Sequence, residues 1–264
     1  MRASSTKRIL TPLKPLGRMP VWVAGRRRQV ALLPLLLFAM ISVAQKPSDP
    51  EQWLEEAEAA YTKITNYSAV LYKQQRVNGK LMPKETIFLK FQKPFSLYMR
   101  WIAAPFKDYE VLYVEGLNDN RAKIHARTFI WFGTWNLHPQ NPRLMSNNLR
   151  PLTATGLGYL LTTVATNVRK AQKFGELRFY YHGEEMVYGR QTQRLEVIFP
   201  NDKNKGYEAY RLFINQDCAN KLFVRINIYD WNNYLIEHYG YENIKFDNTF
   251  TANDFDAANP EYRF

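Results

Sequence analysis

The stretch Ile87-Phe88-Leu89-Lys90-Phe91-Gln92-Lys93-Pro94-Phe95-Ser96-Leu97-Tyr98-Met99-Arg100-Trp101 decides the fold. Ile87, Leu89 and Phe91 recur at every second residue, so on a strand they share one face. Lys93-Pro94 then breaks the ladder, because proline has no N–H to donate. Beyond the break Phe95, Leu97, Met99 and Trp101 alternate with Ser96, Tyr98 and Arg100. Two period-two runs joined by a short break predict neighbouring antiparallel strands with one apolar face.

Upstream, Asn78-Gly79 carries the type I′ hairpin signature, since both residues tolerate positive φ. It joins a strand over Tyr67–Val77 to a return strand over Leu81–Gln92. Before these the period is helical. Ser48-Asp49-Pro50-Glu51 reads as a capping box with Ser48 as N-cap and Pro in the first turn. Trp53, Ala57, Ala60, Tyr61 and Ile64 then form the apolar stripe of a helix of about 16 residues.

Downstream, Ala104-Pro105 turns the chain, Glu110–Glu115 and Arg121–Arg127 read as strands, and Gly116–Asn120 is the turn between them. From Thr128 to Arg150 no period survives. Trp131, Trp135 and His138-Pro139-Gln140-Asn141-Pro142 suggest an irregular segment, either a lid or rim or a surface excursion whose rings plug the core. A second helix follows, with Leu157, Leu160, Leu161, Val164 and Val168 on one face, Thr153 or Thr155 as N-cap and Lys173 near its end. Gly156-x-Gly158 lacks the third glycine, the lysine and the preceding strand of a phosphate loop, and reads as helix entry.

The rest is strand: Leu177–Met186 with Gln191–Phe199, Tyr207–Asn215 with Lys221–Tyr229, and Tyr234–Phe246 closing the meander. Leu222, Val224, Ile226 and Ile228 alternate with Phe223, Arg225, Asn227 and Tyr229. Aromatic residues make up 15% of the chain, a composition that suits half-buried sheet faces. The expected class is α+β: a large curved antiparallel sheet, a half-barrel of about nine to eleven strands, with two or three helices over its concave face.

Residues 1–44 read differently. Arg26-Arg27-Arg28, the apolar run Val30–Val43 and the small residues Ser42 and Ala44 before Gln45 are the three parts of a secretory signal. The apolar run has 14 residues, short of the roughly 20 that a membrane span needs. Met19 is an alternative start to Met1, which would make residues 1–18 a superfluous extension. Gln45 stands where a lipoprotein would need its lipid-bearing Cys. The expectation is a signal peptide over 1–44 and one domain over 45–264, exported to the periplasm without a lipid anchor.

The leader also distorts the charge. The whole chain has 36 Lys and Arg against 24 Asp and Glu, a net charge of +12. Eight of the basic residues and none of the acidic ones lie in residues 1–44, so the remainder carries 28 against 24, or +4. That is an ordinary solubility charge, and the nucleic-acid reading falls with it.

Catalytic signals are sparse. The lone Cys218 excludes an internal disulfide. His125, His138, His182 and His238 fall on separate elements without ligand spacing, and neither a Gly-x-Ser-x-Gly elbow nor His-Glu-x-x-His occurs. Glu55-Glu56 and Glu184-Glu185 are adjacent pairs whose side chains point apart. The expectation is a protein that is not an enzyme, with no metal and no cofactor.

The residues carry a resemblance. Leu89-Lys-Phe-Gln-Lys93-Pro94-Phe95, Arg100-Trp101, Pro105 and Val114-Glu-Gly116 resemble the pattern of the periplasmic lipoprotein carriers of the LolA type. So do Leu212-Phe-Ile-Asn215, Ile228-Tyr-Asp230, Tyr241-x-x-Ile244-x-Phe246-Asp-Asn248 and Asp254-Phe255. Gly79-Lys80-Leu81 and the insert-free spacing look closer to an uncharacterised branch, a domain of unknown function in exported proteins. The resemblance implies a half-barrel closed by helices, with an apolar cavity for lipid or lipoprotein acyl chains. Its expected lining is Leu89, Phe91, Leu97, Met99, Trp101, Val111 and Tyr113, with Lys93 at the mouth. Lys93 stands where the carriers use an Arg, keeping the charge and losing the planar fork. The expected partners are acyl chains and an envelope membrane protein, with no nucleic acid and a monomeric state. The alternative is an exported structural or protein-interaction module with a filled cavity.

Overall fold

In the computed structural model, residues 49–127 and 132–264 are described; the expected signal segment, Ser48 and Trp131 lie outside them. The first element, α1 (Pro50–Thr62), is capped by Asp49, whose carboxylate accepts the Glu51 N–H at 3.0 Å. The cap is therefore Asp49 and not Ser48: the proline fixes the first helical φ, so the residue directly before it supplies the oxygen. Trp53, Leu54 and Ala57 are buried along its stripe.

The strands are β1 (Asn66–Val77), β2 (Lys80–Leu81), β3 (Glu85–Gln92), β4 (Ser96–Trp101), β5 (Glu110–Val114), β6 (Ala122–Arg127) and β7 (Phe132–Leu137). After α2 (Pro142–Met145) and α3 (Leu157–Lys173) come β8 (Arg178–Val187), β9 (Arg190–Ile198), β10 (Arg211–Asp217), β11 (Phe223–Tyr229) and β12 (Leu235–Phe246). All pairings are antiparallel, and the order across the open sheet is β7-β6-β5-β4-β3-β1-β12-β11-β10-β9-β8, with β2 on β1. Two meanders, β1–β7 and β8–β12, thus meet at a central β1·β12 seam, where Leu71 faces Tyr241 and Lys73 faces Tyr239.

Two of the twelve described strands, β2 and β7, go beyond those that the periodicity marks, for local reasons. The return strand after Asn78-Gly79 is split. Val77 faces Lys80, but Lys73 faces Glu85, so the return side carries one extra residue around Pro83, which cannot donate to the ladder. The segment read as irregular holds β7, which pairs with β6 through Ile124 and Trp135; glycine and polar residues there mask the period. Another bulge shifts the β10·β11 register between Asn215 and Gln216. It turns Phe223, which alternation assigns away from Leu222 and Val224, into the core. There Phe223 stacks on Trp53 at 4.9 Å.

α3 begins at Gly156 rather than at Thr153 or Thr155, because the entry needs φ of +107°, open to glycine and costly for a β-branched residue. A Cβ at Gly156 would meet the Tyr67 hydroxyl at 2.9 Å, and one at Gly158 would overlap the Tyr61 side chain. These two glycines let the helix start settle onto β1 and α1, and the Tyr67 hydroxyl accepts the Leu157 N–H at 3.0 Å. Further along, Arg169 clamps Glu51 and Glu58 of α1 at 2.6 and 2.7 Å. The helix pair therefore lies as one layer, with Trp53 against Phe179 and Phe223 of the second meander.

Candidate functional site

The helix layer leaves part of the first meander to be covered by something else. Ile87, Met99, Trp101, Val111 and Ile124 of β3–β6, with Leu71 of β1 and Tyr241 of β12, form the floor of an apolar cavity of about 90 Å³. Its roof is the segment from Pro139 to Gly156, which turns Leu144, Met145, Pro151, Leu152 and Ala154 towards it, together with Leu160 of α3. That is smaller than the roughly 150 Å³ of an apolar cavity that admits one benzene molecule. Most of the concavity is thus occupied by the chain's own side chains.

The roof is tied to the sheet by polar contacts. Lys73 donates to Glu85 at 3.1 Å and to the amide oxygen of Asn148. Gln75, buried, donates to the Tyr239 hydroxyl at 2.7 Å and accepts the Leu149 N–H at 2.9 Å. Tyr239 in turn donates to Glu237 at 2.6 Å. Arg150 reaches Glu237 at 2.8 Å and Glu208 at 2.6 Å. On the floor, the Trp101 indole N–H donates to Glu85 at 2.6 Å. Burial pulls the Arg150 guanidinium down, but its hydrogen-bonded carboxylates outweigh that and leave its pKa above the ordinary value. Burial first, and then Glu237, hold the Tyr239 phenol well above its usual range. Asn148, Leu149 and Arg150 therefore act as three consecutive pegs, seated on half-buried Lys73, buried Gln75 and buried Glu237.

Three of the expected lining residues, Met99, Trp101 and Val111, lie on the cavity floor. Leu89, Phe91, Leu97 and Tyr113 are buried in the packed core beside it. There Phe91 stacks on Tyr67 at 5.2 Å and meets Phe95 edge-on at 5.4 Å, and Phe95 meets Tyr113 at 5.8 Å. Lys93 is placed away from the cavity lining. Its ammonium donates to the Tyr61 carbonyl at 2.8 Å, where a cation complements the C-terminal end of α1. Burial lowers its pKa.

The residues that sequence reasoning passed over are the polar ones: Lys73, Gln75, Asn148, Arg150, Glu237 and Tyr239. One signal was available. Lys73 and Gln75 sit on the same alternation as Tyr67, Ala69 and Leu71, so polar groups occupy core-facing positions of β1. Among the described residues no group of three or more His, Cys, Asp or Glu gathers as a metal site, and no helix is long and apolar enough to cross a membrane.

Known proteins give the following similarities. MucB in its complex with MucA, from Pseudomonas aeruginosa, is 15% identical over 78% of this chain and 60% of its own, with a TM-score of 0.43. In another MucB structure this chain spans 62% of the protein's length. The lipoprotein LppX of Mycobacterium tuberculosis is 11% identical over 79% of this chain and all of its own, at a TM-score of 0.46. A LolA superfamily protein from Nitrosomonas europaea is 8% identical over 78% of this chain and 96% of its own, at 0.33. The search among curated proteins finds no match. The family model described as "Protein of unknown function (DUF1571)" matches residues 64–264, well over half of the sequence, and the chain belongs to that family.

Proposed function

We propose that the protein is a non-enzymatic, exported binding or carrier protein for lipid or lipoprotein acyl chains, acting as a monomer in the periplasm. The observation that supports this most is the pairing of an apolar floor with a roof that is itself apolar inside and polar where it is fastened. Leu144, Met145 and Leu152 lie where methylene groups would lie. In this reading the described arrangement is the closed state. An acyl chain enters as the Pro139–Gly156 segment withdraws, replacing those three side chains against the floor. Each buried CH₂ contributes about 0.8 kcal/mol, enough for useful affinity without polar chemistry. A segment fastened by hydrogen bonds suits this work, since their net contribution is about 1 kcal/mol each and their opening exposes polar groups that water can satisfy.

The test is native mass spectrometry with lipid extraction of the protein purified without its leader, together with titration by the uncharged dye phenylnaphthylamine. Co-purified lipid or saturable dye binding is expected. Recovering neither overturns the proposal and leaves the filled-cavity interaction module in its place.

A further inference from the structure

We infer that the outer face of the second meander is a docking surface for an anionic lipid bilayer, built from cations laid on aromatic rings at one margin of the sheet. It lies on the opposite side of the sheet from the cavity and does not depend on the acyl-chain reading. The strand register assembles it. Arg211 faces Tyr229 on one side and Ile198 on the other, and Ile198 faces Arg178, so these side chains form one outer row. The next row holds Glu196 opposite Phe213, and the one after it holds Arg194. Because neighbouring strands are antiparallel, β8 and β10 start where β9 and β11 end. The β9–β10 loop adds Lys203 at that margin, and Arg76, whose Nε donates to the Leu235 carbonyl at 2.9 Å, is added from the end of β1.

Four of the five cations lie over rings. Arg194 is 4.6 Å from the Phe213 centroid, Arg211 is 5.0 Å from Phe213 and 5.3 Å from Tyr229, Lys203 is 5.7 Å from Trp231, and Arg76 is 5.4 Å from Tyr234. The fifth, Arg178, donates to the Tyr210 hydroxyl at 3.4 Å. These charges are poorly neutralised. The Nε atoms of Arg194 and Arg211 are buried without a hydrogen-bond partner among the described residues. Glu196 is 3.7 Å from Arg211 and already meets His182 at 2.7 Å. Asp202 and Asp230 accept backbone N–H groups of their own turns, and Glu208 pairs with Arg150. On the outer side five cations therefore stand against three carboxylates, Glu196, Asp202 and Asp230.

A guanidinium stripped of water at Nε gains most from an anion on its terminal N–H groups, and a phosphate matches their planar fork. Rings with polar tips suit the headgroup layer of a bilayer; Tyr180 and Tyr234 are 46% and 59% exposed beside the cations. The cations are spread over four strands and a loop of an open sheet face, which fits an extended charged surface better than one acidic segment of a protein.

The experiment is flotation of the chain, purified without its leader, with vesicles of phosphatidylcholine alone or with about one third phosphatidylglycerol. Binding to the anionic vesicles is expected to be roughly tenfold tighter or more, and to weaken by a similar factor between about 0.05 and 0.5 M salt. Arg194→Gln with Arg211→Gln should remove most of that preference. Lys107→Gln with Arg121→Gln, an equal loss of charge on exposed residues of the first meander, should leave it within about twofold. Arg178→Glu with Lys203→Glu changes exposed residues only and should abolish the preference even if the buried arginines prove necessary for folding. Equal binding to both vesicles overturns the inference, as does an equal loss in the first-meander pair, which would make net charge the cause. Release from the vesicles by poly-glutamate, or by millimolar inorganic phosphate at constant ionic strength, also overturns it, in favour of an acidic protein or a free anion respectively.

Discussion

On β8–β12 the inner face lies under two helices, and on β3–β6 it lies under a tied segment and a cavity. Where α3 meets β10 and β11, Leu160 and Val164 face Leu212, Ile226 and Ile228 across a gap of only about 30 Å³. Across the seam the corresponding space is about 90 Å³. The outer faces differ in the opposite sense. Over β3–β5 the C-terminal tail crosses the sheet: Tyr262 stacks on Tyr98 at 3.9 Å, Asp254 pairs with Lys90 at 2.8 Å, and the Arg263 N–H reaches Glu110 at 3.0 Å. Over β9–β11 the outer side chains cover one another, with Arg194 above Phe213 at 4.6 Å and Arg211 above Tyr229 at 5.3 Å. Each meander has one well-covered face. The half that keeps space inside gains burial from the tail outside, and the half packed by helices does without a tail.

The comparison breaks most severely at the helix layer. Trp53→Ala should cost about 3–5 kcal/mol in a denaturant melt, since it removes a buried ring held against Phe179 and Phe223. It should destabilise the fold without specifically raising dye affinity; a loss below about 1 kcal/mol would mean that the second meander is not held by this layer. Next comes the tail. Tyr262→Ala should cost about 2 kcal/mol through the lost stack on Tyr98 and the exposure of that ring. In hydrogen exchange it should speed the amides of β3–β5 more than those of β9–β11, and uniform acceleration would argue against the division.

The smallest effect lies on the seam. His238 of β12 has Nδ1 at 2.6 Å from Asn227 Oδ1. Burial, then the charges of Lys84 and Arg225, push its pKa down to about 4 from 6.5. The unfolded chain protonates this residue before the folded one does, so stability is present above pH 6.5 and falls as pH drops towards 4. Discounted for partial exposure, the loss is on the order of 1–2 kcal/mol. His238→Gln should flatten that part of the stability–pH curve; an unchanged slope would assign the acid sensitivity to other groups.

The meanders were legible because each rests on short-range signals. Asn78-Gly79, the alternation from Ile87 to Trp101 and the stripes at Trp53 and Leu157 act within one element or one hairpin. Met99, Trp101 and Val111 could be placed on an inner face for the same reason. Lys93 could not be placed, because the carbonyl it meets lies on another element, at the end of α1. Trp135 was hidden in a strand whose glycine and polar neighbours blur the period. Phe223 was misassigned because one bulged residue reverses the facing of what precedes it.

By itself the sequence determined the antiparallel strands, the two long helices and the apolar inner face, since hairpin turns and residue periodicity are local physics. It also showed that two thirds of the excess positive charge belongs to the first 44 residues. The tertiary structure decided the β1·β12 seam, the tail across β3–β5 and the seating of Asn148, Leu149 and Arg150 over the cavity. Those contacts join residues about 75 to 180 positions apart. Their pairing depends on which faces meet once the sheet is formed, information that no single stretch of chain contains.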